Sequence, residues 1–184
     1  MATSKSVLPK LPPIPPELVD AANALVPYLN DASRTLGEKL AAIYAYLDRF
    51  APFVRTFATC SMGCAHCCKI DVQITTLEAE YIQMMTGVPY RPGAGLSTGH
   101  KDACPFLAKD RGCGIYRHRP LACRIYHAVG DPEDCKPGRI QMQYGGPPDH
   151  GNPIYASYVR WLHFTMAEIG GTVRDIRDFF PCRA

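Results

Sequence analysis

Cys60, Cys64, Cys67 and Cys68 fall within nine residues, and Cys104, Cys113, Cys123 and Cys135 follow singly further along the chain. Thiolate sulfur is a soft donor that selects zinc, copper(I) and iron-sulfur centres over magnesium or calcium. A short loop wraps several sulfurs around one centre with little loss of closure entropy. The chain has nine cysteines, an odd number, so a complete disulfide framework leaves one over. Metal ligation by these eight cysteines is therefore the leading account, with disulfides or free thiols as the alternative. The ninth, Cys182, lies two residues from the end of the given sequence and reads as a bystander.

The metal follows from the crowding. Adjacent Cys67 and Cys68 cannot both bind one tetrahedral zinc without strain, and zinc fingers usually present two separated pairs. A larger cluster accepts a contiguous multi-cysteine loop more readily, so an iron-sulfur cluster, most simply [4Fe-4S], is expected ahead of one or two zincs. His66, His100, His118 and His127 lie among the cysteines. Each could replace a sulfur or simply be a surface or hydrogen-bonding imidazole. Lys109, Arg111, Arg117, Arg119 and Arg124 oppose the single Asp110 in the same stretch. Four thiolates on a dication leave a net double negative charge, which guanidinium groups stabilise through charge-assisted bonds to sulfur.

Residues 130–151 are rich in glycine and proline and too long for a simple connector. The expectation is that this loop covers the centre, with Cys135 completing the ligation or tying the loop down. Arg119, Arg124 and Tyr126 would line the space beneath and could receive an anionic ligand.

The elements that must position these residues are mostly helical. A helix is expected from Pro16 to about Leu29. Leu36, Leu40, Ile43, Leu47, Phe50, Val54 and Phe57 then mark one face of a second helix, with Thr35 and Glu38 as a capping box and Pro52 as a kink near its end. Alternation over residues 70–74 suggests a strand, and Thr75 with Glu78 a second capping box for a helix ending at Gly87. Residues 106–107 and 114–116 flank Lys109 to Gly112 as a hairpin. Pro120 starts a short helix through Tyr126. Asn152 and Pro153 open a helix to about Ile169, stopped by Gly170 and Gly171, and a last short helix is expected from Val173. The fold class is mainly α with a small β-hairpin, its helices 36–57 and 154–169 packed around a cysteine-ligated centre.

With 184 residues, 47% of them hydrophobic, the chain is expected to form one domain over residues 17–184, its cysteine core spanning 57–127, preceded by a proline-rich arm at 1–16. That arm is a stiff leader or, through its PxxP spacing, a docking segment for a protein partner. The prolines of LPKLPPIPP at residues 8–16 interrupt the apolar run that a secretory signal needs, and no stretch reaches the roughly 18 apolar residues of a membrane helix. A cytoplasmic protein without membrane contact is expected, and disulfides are rare in that compartment. A net charge of +3 is too slight to suggest nucleic acid as a partner. The sequence contains no P-loop, HExxH or helix-opening GxGxxG.

The ordered motifs C-x3-C-x2-C-C, Cys104-Pro105-Phe106-Leu107, Cys113-Gly114-Ile115-Tyr116 and Arg119-Pro120-x2-Cys123-Arg124 resemble the YkgJ-type CxxCxxCC cysteine-cluster family. That family is described as chelating zinc or iron, and the first spacing here is three residues instead of two. The resemblance covers roughly residues 57–127 and implies metal binding. Cys60-x3-Cys64-x2-Cys67 is also similar to the loop that holds a [4Fe-4S] cluster in radical S-adenosylmethionine enzymes, without the length or strand-helix repetition of their barrel. Flagellin lysine N-methylases carry a similar cysteine pattern in longer chains. Two functions are therefore expected: a metal-binding protein with a structural or electron-transfer centre, or a cluster-dependent, methyltransferase-like enzyme using S-adenosylmethionine.

Overall fold

The computed structural model describes residues 11–61, 63–91, 98–136, 142–144 and 152–180. Helix α1 (Pro16–Asn30) begins with proline in its first turn, where the missing N–H is no loss. Helix α2 (Leu36–Val54) carries the expected capping box: Glu38 N–H donates to Thr35 Oγ1 at 3.2 Å, and Thr35 N–H donates to Glu38 Oε2 at 2.8 Å. It stops at Val54, before Phe57, because the Phe57 N–H turns back to the Val54 carbonyl at 3.1 Å. Helix α5 (Pro153–Ile169) is capped by Asn152, whose Oδ1 accepts the Ile154 and Tyr155 N–H groups at 3.1 and 3.2 Å. Gly170 ends it in the left-handed conformation at φ 65°.

The stripes of these helices bury one another. Leu40, Ile43, Leu47 and Phe50 of α2 meet Tyr155, Tyr158 and Leu162 of α5, and Leu18, Ala22 and Leu29 of α1 complete this first core. Tyr46 lies edge-on to Tyr158 at 5.4 Å, and Phe50 contacts Tyr155 at 5.2 Å between ring centroids. Among the described residues no cysteine belongs to this core, so α2 and α5 pack against each other and the described cysteines lie beside them, a correction to the expected arrangement. Leu11 and Ile14 of the expected arm also pack against it, while residues 1–10 and Cys182 fall outside the described residues.

A second, smaller core holds Val72, Ile74, Ala79, Ile82, Ile115, Ile176, Phe179 and Phe180, with Cys104, Phe106, Cys113 and Cys123 packed on it. Strand β1 (Gln73–Thr75) leads directly into α3 (Thr76–Thr86), whose capping box is Thr75 with Glu78, and Gly87 terminates it at φ 71°. The expected strand is thus shorter and later than 70–74, since the Val72 N–H is taken by the Asp175 carboxylate at 2.7 Å. The expected final helix also starts later: Val173–Asp175 is strand β4, antiparallel to β1 with Ile74 opposite Arg174. Asp175 then caps α6 (Ile176–Phe179) by accepting the Arg177 N–H at 2.8 Å.

Between the cores lie α4 (Leu121–Ile125), β2 (His127–Ala128) and β3 (Gln143–Tyr144), the last two paired antiparallel. The expected hairpin at 106–116 is reduced to a tight turn closed by a single bridge between Leu107 and Cys113. Fold class is mainly α with small β elements. Among the described residues no helix is long and apolar enough to cross a membrane.

Candidate metal centre

Each cysteine is delivered by a loop that the frame holds by named bonds. Cys60 follows α2 and is strapped to β2: the Thr59 N–H reaches the Ala128 carbonyl at 2.9 Å, and the Ala128 N–H donates to Cys60 Sγ at 3.2 Å. Cys67 and Cys68 sit in a 3-10 turn, His66–Lys69. The Cys104 N–H donates to the Cys68 carbonyl at 2.7 Å, which pins the two loops together. Cys113 begins the far side of the tight turn, where the Gly114 N–H donates to the Phe106 carbonyl at 2.8 Å. A Cβ on Gly114 would meet that carbonyl oxygen at 3.3 Å, so glycine suits this approach. Cys123 rides on α4, and Cys135 ends a 3-10 turn, Pro132–Cys135.

These thiols lie within electrostatic reach of one another. Burial raises Cys60, Cys113 and Cys123, and takes Cys104 and Cys135 each to about 11. A hydrogen bond between Cys67 and Cys68 is the largest influence on both, raising the first and lowering the second. Neighbouring thiols push the same way as burial, because several thiolates in one place repel. Arg119 works against this at Cys60, Cys67, Cys113 and Cys123, so one guanidinium stands within electrostatic reach of four sulfurs. It is positioned by the Tyr116 carbonyl at 3.2 Å and by the Tyr116 ring, 4.0 Å beneath it. Backbone N–H groups of Phe106 and Ile115 reach the sulfurs of Cys104 and Cys113. Such donors stabilise thiolate, the form that binds metal.

The donor set is soft and anionic once deprotonated, and it fits a thiophilic metal. Among the described residues no three His, Cys, Asp or Glu side chains are gathered closely enough to hold one ion.

Tyr126 also faces the thiols: burial, then Cys135, Cys67, Cys60 and Cys64, push its phenol up to about 12. Arg124 does not join them. Its guanidinium is buried in the frame, donating to the Arg119 and Arg117 carbonyls and to Asp48, and lying 4.3 Å over the Tyr44 ring. Of the two arginines, Arg119 is the one whose charge acts on the thiols. Among the histidines, His100 pairs through Nε2 with Asp178 at 3.3 Å, His118 lies 6.3 Å from the Tyr81 ring, and His127 packs beside Tyr155. His66 shares a shallow cleft of about 470 Å³ with Cys64, Arg111, Pro132 and Glu133, which places the start of the 130–151 loop opposite the first cysteine cluster. Residues 137–141 and 145–151 of that loop lie outside the described residues.

Two supporting residues went unread in the sequence. Arg177 is buried, forks onto both Asp175 carboxylate oxygens at 2.8 and 3.0 Å, and donates to the carbonyls of Asp102, Cys68 and Ile70 at 2.7, 3.3 and 3.1 Å. Glu78, expected only as a cap, is buried and also accepts the Tyr44 hydroxyl at 2.9 Å and the Leu121 N–H at 2.6 Å, fixing the start of α4. Neither had a local signature, since their partners are distant in sequence.

A cavity of about 360 Å³ opens beside Cys67 and Cys123. Leu121, Ile125, Val159, Leu162 and Val173 form its apolar walls, and Tyr126, Gln143 and His163 add polar groups.

Residues 59–144 match the model of the CxxCxxCC family, described as a "putative zinc- or iron-chelating domain". This segment is similar to that family. The match begins one residue before Cys60 and ends with β3, so it takes in Cys135 and the strand pair that straps Cys60, beyond the span expected from the motifs. The match points to zinc or iron chelation by this segment. No curated protein and no solved structure matches the chain.

Proposed function

We propose that the CxxCxxCC-like segment of this chain holds an iron-sulfur cluster, most simply [4Fe-4S], in a structural or electron-transfer role. The observation that supports the reading is the joining of the cysteine loops, with the Cys104 N–H on the Cys68 carbonyl at 2.7 Å and the Ala128 N–H on Cys60 Sγ at 3.2 Å, and with Arg119 within electrostatic reach of Cys60 and Cys67. A bound cluster supplies one-electron chemistry and links loops that share little continuous apolar surface. The chain's own part is to present thiolates, to offset their charge through Arg119, and to donate the Ala128 N–H to Cys60. A cytoplasmic location suits such a centre, because reduced thiols are needed to assemble it. The proline-rich arm is proposed as the contact for a protein partner.

The test is anaerobic isolation followed by iron, zinc and sulfide analysis and an absorption spectrum. Iron with acid-labile sulfide and a broad band near ~400 nm is expected. Stoichiometric zinc without iron overturns the cluster.

The cavity beside Cys67 and Cys123 favours a second reading, a cluster-dependent and methyltransferase-like enzyme. Its walls could exclude water from a substrate held against the centre, with Tyr126 at the sulfur end. A change in the cluster's spectrum on adding S-adenosylmethionine would support it, and an unaltered spectrum would leave the structural or electron-transfer role.

A further inference from the structure

The two cores do not close on each other. Between them lies the cavity of about 360 Å³, walled by Leu121, Ile125 and Leu162 of the first core and by Val72 of the second. Helix α4 runs along this seam, with Leu121 and Ile125 in one core and Ala122 and Cys123 packed on the other. Protein interiors are otherwise close-packed, so an apolar opening of this size is a place where a small molecule is held.

The charged groups on the walls narrow the class of that molecule. Glu78 is saturated: one carboxylate oxygen accepts the Tyr44 hydroxyl and the Leu121 N–H at 2.9 and 2.6 Å, the other the Thr75 N–H and hydroxyl at 2.8 and 3.0 Å. Asp71, at the half-exposed edge, accepts the N–H groups of Gly99 and His100. Among the described lining residues there is no lysine or arginine, so an anion meets two carboxylates and no balancing charge. A cation would leave water for apolar walls, and pairing with Asp71 at the exposed edge gains it little. An uncharged ligand avoids both costs. Tyr126 and Gln143 also line the cavity, with a phenol that is protonated at neutral pH and an amide, and both donate to a carbonyl oxygen. Size follows from comparison. An apolar cavity of about 150 Å³ takes up a six-carbon ring, so by proportion this one takes about fourteen non-hydrogen atoms.

We propose that the cavity between the two cores binds an uncharged, largely apolar small molecule of about fourteen non-hydrogen atoms, its body held in the seam between α4 and α5 and a carbonyl oxygen accepting from the Tyr126 hydroxyl. The proposal stands on the walls and not on what the sulfurs hold, and so goes beyond both readings above.

The experiment is equilibrium dialysis of the full chain as isolated, with its metal counted, against 2-acetylnaphthalene, a neutral aryl ketone of this size, and against 2-dodecanone, its alkyl counterpart. The ions 2-naphthoate and 2-naphthylmethylammonium carry the same rings with a negative or a positive charge. One equivalent of ketone per chain is expected, with a dissociation constant on the order of tens of micromolar, and both ions should bind at least about tenfold more weakly. Whichever ketone binds more tightly tells an aromatic ligand from an alkyl one, and either result supports the proposal. Val159→Phe, which fills the cavity from α5, should weaken ketone binding about tenfold or more, and Tyr126→Phe about three- to tenfold. No saturable ketone binding, an ion that binds as tightly as the ketones, or undiminished binding by a folded Val159→Phe overturns the proposal. If Val159→Phe fails to fold, the comparison of ketones with ions on the unmodified chain decides. Undiminished binding by Tyr126→Phe overturns its part as the donor. Metal content is read separately, so a failure here leaves the metal reading intact, and a chain without metal leaves this proposal to the same titration.

Discussion

Replacing Arg177 should loosen the loops that carry Cys68 and Cys104 from a distance, because its guanidinium is the brace between the C-terminal segment and both of them. Arg177→Met keeps the apolar stem but removes the fork onto Asp175, a carboxylate with 0% exposure, and the donors to the Cys68, Ile70 and Asp102 carbonyls. Breaking one side of a buried ion pair costs roughly 3–5 kcal/mol, since the other charge stays buried. Here Asp175 still accepts the Val72 and Arg177 N–H groups at 2.7 and 2.8 Å, so the lower end, about 3 kcal/mol, is expected. Arg177→Lys should recover only part of it, because an ammonium cannot span both carboxylate oxygens and three carbonyls. The assay is urea unfolding of the metal-free chain, which isolates the brace from ligation, with proteolysis around residues 98–104 as the local readout. The pair Arg177→Met with Asp175→Asn should cost less than the sum of the single changes, since the uncompensated charge is gone. A loss below about 1 kcal/mol for Arg177→Met, or strict additivity in the pair, would refute the brace.

Glu78→Gln places an amide N–H₂ among the Thr75 N–H, Leu121 N–H and Tyr44 hydroxyl donors; a loss of about 1–3 kcal/mol is expected in urea unfolding, with greater exposure of α4 in hydrogen exchange. His127 is lowered by burial, then by Arg119, from 6.5 to about 4, so its contribution to stability is complete above pH 6.5 and is lost as pH falls towards about 4. That difference is worth roughly 3 kcal/mol, and metal-free His127→Gln should lack that part of the acid loss; an unchanged pH profile would assign it elsewhere. Chelation of the loaded protein should expose residues 60–136 to protease before α1, α2 and α5 open, as their first core contains no cysteine. Simultaneous loss of both regions would show that the metal supports the whole fold.

How much was legible depends on whether a residue's partners are near in sequence. Both capping boxes, Asn152 before α5, and Gly87 and Gly170 as stops were readable because cap and helix share one short window. The strand at Val173–Asp175 was not, because its partner lies about a hundred residues earlier and its three residues carry no alternation of their own. The tight turn at 108–112 was anticipated, but its flanks hold only one bridge, since Cys113 and Ile115 turn toward the cysteines and the second core. The cysteine set was legible from thiol chemistry alone. Their grouping was not, since it depends on which core each loop leans against.

Arg124 and Arg119 show what the frame adds to a motif. Five residues apart, both guanidiniums were expected beneath the same loop. The Arg119 carbonyl accepts from Arg124 Nε at 2.7 Å, so Arg124 holds in place the backbone from which Arg119 extends toward the thiols. One arginine is spent on Asp48, Tyr44 and two carbonyls so that the other is fixed where four sulfurs feel its charge. Charge reversal should separate the two roles. Arg119→Glu should leave urea stability within about 1 kcal/mol, because the side chain is only partly buried, while raising the thiol titration and weakening metal retention. Arg124→Glu should unfold the chain, because it buries a carboxylate against two carbonyls and Asp48. Equal destabilisation by the two changes, with equal effects on the thiols, would mean that Arg119 belongs to the frame as much as Arg124 does.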